Sequence, residues 1–332
     1  MKDNYLRGKN VLLISYSFYD YHKAISDSIR SKGATVFYVD TYVSSKFGPL
    51  NQILLGLSKK RKLDFVIKNR IKNIDANIDI VFVININIMS DSLFEWIFNR
   101  YGKACKILYL WDSMSHSRYT PALLQKFDKI FSFDPYDCKQ YGFTFLPLFF
   151  RNYTQSKQVL DYDFAFVGVA RNDRYKLTKF IADYCKQNNL KCFIYLYFRS
   201  RLFYLYRKIV RKEYPGSTMK DFRFEKMSKE DLDSIVSSTK IVIDAEMEGQ
   251  SGLTMRTIEC HGAHKKMITT NKEVKNYDFY HKDNFYIIDK NNLAIDESFI
   301  NSDYHVFSEN IYSKYSLNHW IDVLFGDFCD AS

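Results

Sequence analysis

Residues 9–40 read KNVLLISYSFYDYHKAISDSIRSKGATVFYVD. Val11-Leu12-Leu13-Ile14-Ser15 is a short continuous apolar run, the pattern of a strand buried on both faces, as parallel sheets require. Apolar residues then recur at helical spacing over 21–32, and Gly33 stands where a C-terminal cap belongs. Thr35-Val36-Phe37-Tyr38-Val39-Asp40 reads as a second strand. Strand, helix, strand at this spacing is a βαβ unit with a right-handed crossover, so the fold class is α/β.

The alternation continues outward. Strands are expected at 78–84, 105–111 and 127–133, a helix at 90–101 behind a Ser-Asp-Ser cluster, and a last extended piece at 143–150. The lysine-rich stretch 58–72 reads as a surface helix. The chain then turns polar at 152–158, Asn-Tyr-Thr-Gln-Ser-Lys-Gln, which reads as a linker. A second series follows: strand 163–168, helix 174–188, strands 191–196 and 240–244, helix 254–262, strands 266–270 and 285–288. Two alternations parted by a linker imply two Rossmann-like α/β domains, 1–152 and 153–302. The tail, 303–332, is expected to be helical, and its packing back on the N-terminal domain is left open.

Bulk properties agree with two cores. The chain has 332 residues, 46% hydrophobic and 26% charged, which suits two domains and excludes a disordered chain. The formal net charge of +10 favours an anionic partner: nucleic acid, lipid headgroups or a phosphorylated substrate. Six cysteines show no metal-type spacing and read as reduced, buried residues. The first nine residues are polar, unlike a signal peptide, and no run approaches the ~20 apolar residues of a membrane span. The expected location is the cytoplasm.

In open parallel sheets, ligands sit outside the carboxyl ends of the strands. The segment after strand 240–244 ends in Ser251-Gly252-Leu253-Thr254-Met255-Arg256-Thr257-Ile258-Glu259. Free backbone N–H groups at such a helix start attract phosphate, and Arg256 adds a bidentate cation. Glu259 falls on nearly the same helical face, where a carboxylate can take both hydroxyls of a ribose. An ordinary capped helix with a surface Arg–Glu pair fits the same residues. After strand 163–168, Gly168 permits close backbone approach and Arg171 and Arg174 flank another helix start where a donor diphosphate could rest, with a tight turn and two surface arginines as the plain alternative. Neither a Walker motif nor the dinucleotide glycine pattern is present.

On the N-terminal side, Asp112 and His116 follow strand 105–111. Asp112 is a candidate base for an acceptor hydroxyl and His116 the second candidate, against a simple capping or bracing role. Tyr16, Asp20 and His22 after the first strand suggest an acceptor-side wall, or aromatic loop packing. No metal cluster stands out, and the acidic pairs Glu246/Glu248 and Asp134/Asp137 have no His partner, so metal-independent chemistry without a cofactor is expected. Residues 195–212 mix Arg and Lys with Tyr, Phe and Leu. That pattern suits a helix lying on an anionic membrane, single-stranded nucleic acid, or a buried helix with solvated lysines.

The run 252–259, with Gly262-Ala263 and Lys265-Lys266-Met267-Ile268-Thr269-Thr270-Asn271, resembles bacterial lipopolysaccharide, capsule and exopolysaccharide glycosyltransferases. These are related to the spore-maturation-protein-like group of GT-B architecture. Tyr109-Leu110-Trp111-Asp112-Ser113, 127–135 and Leu146-Pro147-Leu148-Phe149 resemble that group's first half. Phe166-Val167-Gly168 with Arg174-Tyr175, and Tyr277-Asp278-Phe279-Tyr280, resemble its second. The resemblance implies two facing Rossmann-like domains around a cleft, a nucleotide-sugar donor in the C-terminal one, and a glycan acceptor, lipid-linked in one version. It implies Glu259 as the ribose acid and Arg256 as a phosphate ligand, and no nucleic-acid partner. Many relatives carry a second glutamate eight residues before the ribose-binding one; Ser251 stands there in this chain. The rival expectations are a basic nucleic-acid-binding protein and a catalytically silent scaffold of the same fold.

Overall fold

The computed structural model describes residues 4–17, 19–41, 59–84, 89–117, 119–151, 160–246 and 251–326. They divide into two compact units. The first comprises the described residues up to 149, together with 251–252 and those from 316 onward; the second holds the described residues of 150–246 and 253–315. The polar stretch at 152–158 lies outside the described residues.

The first unit is built on a six-stranded sheet. Its strands are β1 (Asn10–Ser15), β2 (Thr35–Asp40), β3 (Ile80–Ile84), β4 (Cys105–Leu110), β5 (Lys129–Ser132) and β6 (Thr144–Phe145). They run parallel in the order β2-β1-β3-β4-β5-β6. Val11 is in register with Val36 on one side and Ile80 on the other, and Val11 to Ile14 are wholly buried. The continuous apolar run is therefore a central strand. Helix α1 (Tyr21–Ser31) connects β1 to β2. It stops where Gly33 takes φ +96°, a left-handed turn in which a Cβ would press on the backbone of Arg7 at 3.0 Å. Helices α2 (Lys59–Lys72), α3 (Asp91–Arg100), α4 (Pro121–Leu124) and α5 (Pro135–Tyr141) complete its connections. Ser90 caps α3 by accepting from the Leu93 N–H at 3.1 Å.

The unit's core is closed by the C-terminal helix, Leu317–Phe325. Trp320 is buried with its ring 4.7 Å from both Tyr109 and Phe149, and Phe325 meets Phe82 edge-on at 5.3 Å. Asp322 anchors the helix to the chain start through Tyr5 Oη at 3.0 Å and Lys32 Nζ at 2.7 Å.

The second unit repeats the design with β7 (Tyr162–Val169), α6 (Asn172–Gln187), β8 (Cys192–Tyr197), α7 (Arg201–Ile209), α8 (Lys229–Ser237), β9 (Thr239–Asp244), α9 (Met255–Gly262), β10 (Lys266–Thr269), β11 (Phe285–Ile287), α10 (Glu297–Asn301) and α11 (Glu309–Ser313). The sheet is parallel in the order β11-β10-β9-β7-β8. Read from its own first strand, this is the order of the first sheet without its sixth strand.

Three expectations need correction. The extended piece at 143–150 pairs with the sheet only at β6, since Pro147 has no N–H for a ladder. The tail is not helical throughout: the backbone of His305 is clamped to the Asn284 side chain by two hydrogen bonds of 2.7 and 2.8 Å, which holds that stretch out of a helix. Helices α5 and α8 were not anticipated. Each begins at a side-chain cap, Asp134 for α5 and Ser228 for α8.

Candidate functional site

In the second unit, β7 and β9 are sheet neighbours whose connections leave in opposite directions, toward β8 and toward β10. This is the switch point at which an open parallel sheet offers a crevice. Arg171 and Arg174 lie just past β7, and their guanidinium groups hold the end of β9. Arg171 donates to the Glu246 carbonyl at 2.5 Å and pairs with Asp173 at 2.7 Å. Arg174 donates twice to the Ala245 carbonyl, at 2.7 and 3.2 Å, and once to the Val169 carbonyl at 3.2 Å. Gly168 is needed for close packing, because a Cβ there would stand 3.0 Å from the Phe166 ring and 3.4 Å from Arg174.

Helix α9 starts at the same edge. Thr254 caps it, accepting from the Thr257 N–H at 3.3 Å and donating to Asp244 Oδ2 at 2.8 Å. Met255 and Arg256 form its first turn, half-buried, and Thr257 is buried. Arg174 is held below the usual guanidinium range by burial and by the charge of Arg171, with Arg256 adding to the repulsion against Asp244 and Asp173. Three guanidinium groups thus share one strand-end region. Two are committed to backbone carbonyls, while Arg256 makes no hydrogen bond or ion pair among the described residues.

Glu259, on the last turns of α9, pairs with Lys229 Nζ at 3.3 Å, and Lys229 also reaches Asp233 at 2.5 Å. Both Lys229 and Glu259 are largely shielded from water, so the ion pair holds the carboxylate in one orientation. Lys229 is a residue the sequence reasoning missed. Its signal was the Ser228-x-x-Asp231 start of α8, where Ser228 Oγ takes the Asp231 N–H at 3.0 Å.

Ser251 and Gly252 belong to the first unit. Asp134, noticed in the sequence only as half of an acidic pair with Asp137, is nearly inaccessible and accepts from the hydroxyls of Ser113 and Ser251, the Ser251 N–H at 3.2 Å and the Tyr136 N–H at 3.0 Å. Burial alone would raise its pKa; these donors outweigh it and hold the carboxyl below its ordinary range. Gly252 lies so close to Phe133 that a Cβ would stand 2.5 Å from the ring. Residues 247–250, the rest of that loop, fall outside the described residues.

Asp112 is exposed, on a loop pinned by its neighbours: Ser113 to Asp134, and the Met114 N–H to Asp137 Oδ2 at 2.6 Å. His116 ends the short turn Met114–His116, also exposed. The ring of Trp111 meets Tyr21 edge-on at 5.6 Å, which sets this loop beside the one after β1. There Tyr16 is exposed and Asp20 pairs with Lys23 at 2.9 Å. Tyr19 and Asp20 both take positive φ, +41° and +59°, a strained pair of non-glycine residues. His22 stacks on Tyr38 at 4.8 Å, and its Nδ1 is buried without a hydrogen-bond partner among the described residues. Among the described residues, no three His, Cys, Asp or Glu side chains are gathered as a metal site.

No family model matches the sequence, and no curated protein does. Solved structures do match in fold. The apo structure of OtsA is 9% identical, covers 97% of this chain and 99% of its own, and superposes with a TM-score of 0.57. A trehalose-6-phosphate synthase studied with bisubstrate glycomimetics, for enzymatic glycosyltransfer with retention, is 10% identical, with 96% and 98% covered and a TM-score of 0.55. The N-terminal domain of trehalose-6-phosphate phosphatase from Candida albicans is 11% identical, with 98% and 97% covered and a TM-score of 0.52. At such identities the likeness is one of fold alone: two Rossmann-like α/β units, the GT-B architecture.

Proposed function

We propose that this chain is a glycosyltransferase that moves a sugar from a nucleoside diphosphate sugar to a growing bacterial surface glycan, working at the inner face of the cell membrane. The observation that carries this reading is Arg256, without a hydrogen bond or ion pair among the described residues, on the first turn of α9 at the switch point of the second sheet, with Glu259 on the same helix. The diphosphate lies against Arg256 and the free N–H groups of α9. Glu259 takes the ribose hydroxyls, with Lys229 orienting it. Arg171 and Arg174 position the strand ends. As the sugar leaves, charge grows on the diphosphate, and a fixed guanidinium and helix terminus stabilise it without a metal or cofactor. In an inverting course, Asp112 takes the acceptor hydroxyl proton, with His116 as the second candidate, and Tyr16, Asp20 and His22 wall the acceptor.

Titration calorimetry in EDTA against a panel of nucleoside diphosphates tests this. One of them binds the wild type, and Arg256→Ala and Glu259→Ala each weaken it by roughly 10- to 100-fold, the worth of a charge-assisted contact. Asp112→Asn keeps the affinity and slows transfer. Equal affinity of the wild type and both donor-side variants contradicts the assignment.

A further inference from the structure

Helix α7 carries a concentration of exposed apolar side chains. Leu202 is 79% exposed, Ile209 70%, Val210 62%, Tyr206 46% and Phe203 41%. At about 100° per residue, these five positions fall within an arc of roughly 120° on one side of the helix, which Val210 extends in helical geometry. The opposite side is anchored. Tyr204 is buried, its hydroxyl 2.9 Å from Ser217 Oγ and its ring 4.8 Å from Phe222 and 5.6 Å from Phe198. The stripe therefore faces outward from a helix fixed to the core.

Cations flank it. Arg199, Arg201, Arg207, Lys208, Arg211 and Lys212 follow one another with no acid before Glu213. Arg199, Arg201, Arg211 and Lys212 are exposed, while Arg207 pairs with Glu213 at 2.7 Å over the Phe203 ring. We propose that α7 is an in-plane docking helix for an anionic lipid bilayer, its apolar stripe entering the acyl boundary and its cations meeting the phosphates. Charge selects this occupant over a second copy of the chain, since a self-paired face would oppose like cations. Aliphatic tips select it over single-stranded nucleic acid, since Leu202, Ile209 and Val210 offer bases nothing to stack on. No helix among the described residues is long and apolar enough to cross a membrane, and α7 is about 14 Å long, so it lies along the surface. The proposal stands apart from the donor chemistry.

Co-sedimentation of the full chain with vesicles tests it, comparing phosphatidylcholine alone with equal parts phosphatidylcholine and phosphatidylglycerol. The protein binds the anionic vesicles, and binding falls as salt rises. Arg201→Gln with Arg211→Gln lowers the partition coefficient by about five-fold per charge. Leu202→Ser with Ile209→Ser lowers it about ten-fold or more. All four positions are exposed, so the variants melt with the wild type and bind nucleoside diphosphate as it does. Vesicle binding that ignores both pairs of substitutions overturns the proposal. So does an absence of vesicle binding beside a dimer broken by Leu202→Ser with Ile209→Ser, or beside oligonucleotide binding lost in Arg201→Gln with Arg211→Gln. Each of these results leaves the donor reading standing.

Discussion

On the same helix as Arg256, His261 is fully buried, stacked on Phe279 at 4.4 Å, with neither ring nitrogen hydrogen-bonded among the described residues. Burial, with His264 adding a little, pushes its pKa down from 6.5 to about 4. The unfolded chain then binds a proton below pH 6.5 that the folded chain refuses until about pH 4. Its contribution to stability is whole above 6.5 and is lost as pH falls toward 4. At ~1.4 kcal/mol per pH unit, the loss by pH 5 is about 2 kcal/mol. Urea denaturation at pH 7 and pH 5 should show this loss in the wild type and a smaller one in His261→Leu; an identical pH dependence in both would remove His261 as its source. At this scale the sequence was partly legible. Arg256 and Glu259 stand out by spacing along one helix. Lys229 and Asp134 do not, because what gives them meaning is a partner far along the chain: Glu259 for one, Ser251 for the other.

Elements were legible where the apolar pattern was long and uninterrupted. β2 spans Thr35–Asp40 as the pattern implies, and Thr254 caps α9. Helices α5 and α8 were not, since both declare themselves through a cap more than through periodicity. The C-terminal helix shows what pattern reading omits altogether, namely which core an amphipathic helix enters. With Trp320 packed on Tyr109 and Phe149, Trp320→Ala should cost about 3–5 kcal/mol of unfolding free energy. Chemical denaturation measures this directly, and a cost under ~1 kcal/mol would mean that the helix is only loosely held.

Across the whole molecule, two parallel sheets share one strand order, and each has its switch point between its first and third strands. The alternation of strands and helices made this architecture readable. The crevice chemistry needed the fold, because only the sheet order sets the loop after β7 against the end of β9, where Arg171, Arg174 and α9 meet. The central claim is that this crevice activates a nucleotide sugar. Mass spectrometry of nucleoside diphosphate released from a panel of nucleotide sugars, in EDTA, tests it most directly. The expected result is slow release from one donor by the wild type and none above background by Arg256→Ala. Equal release by both proteins, or none from any donor by the wild type, would contradict it.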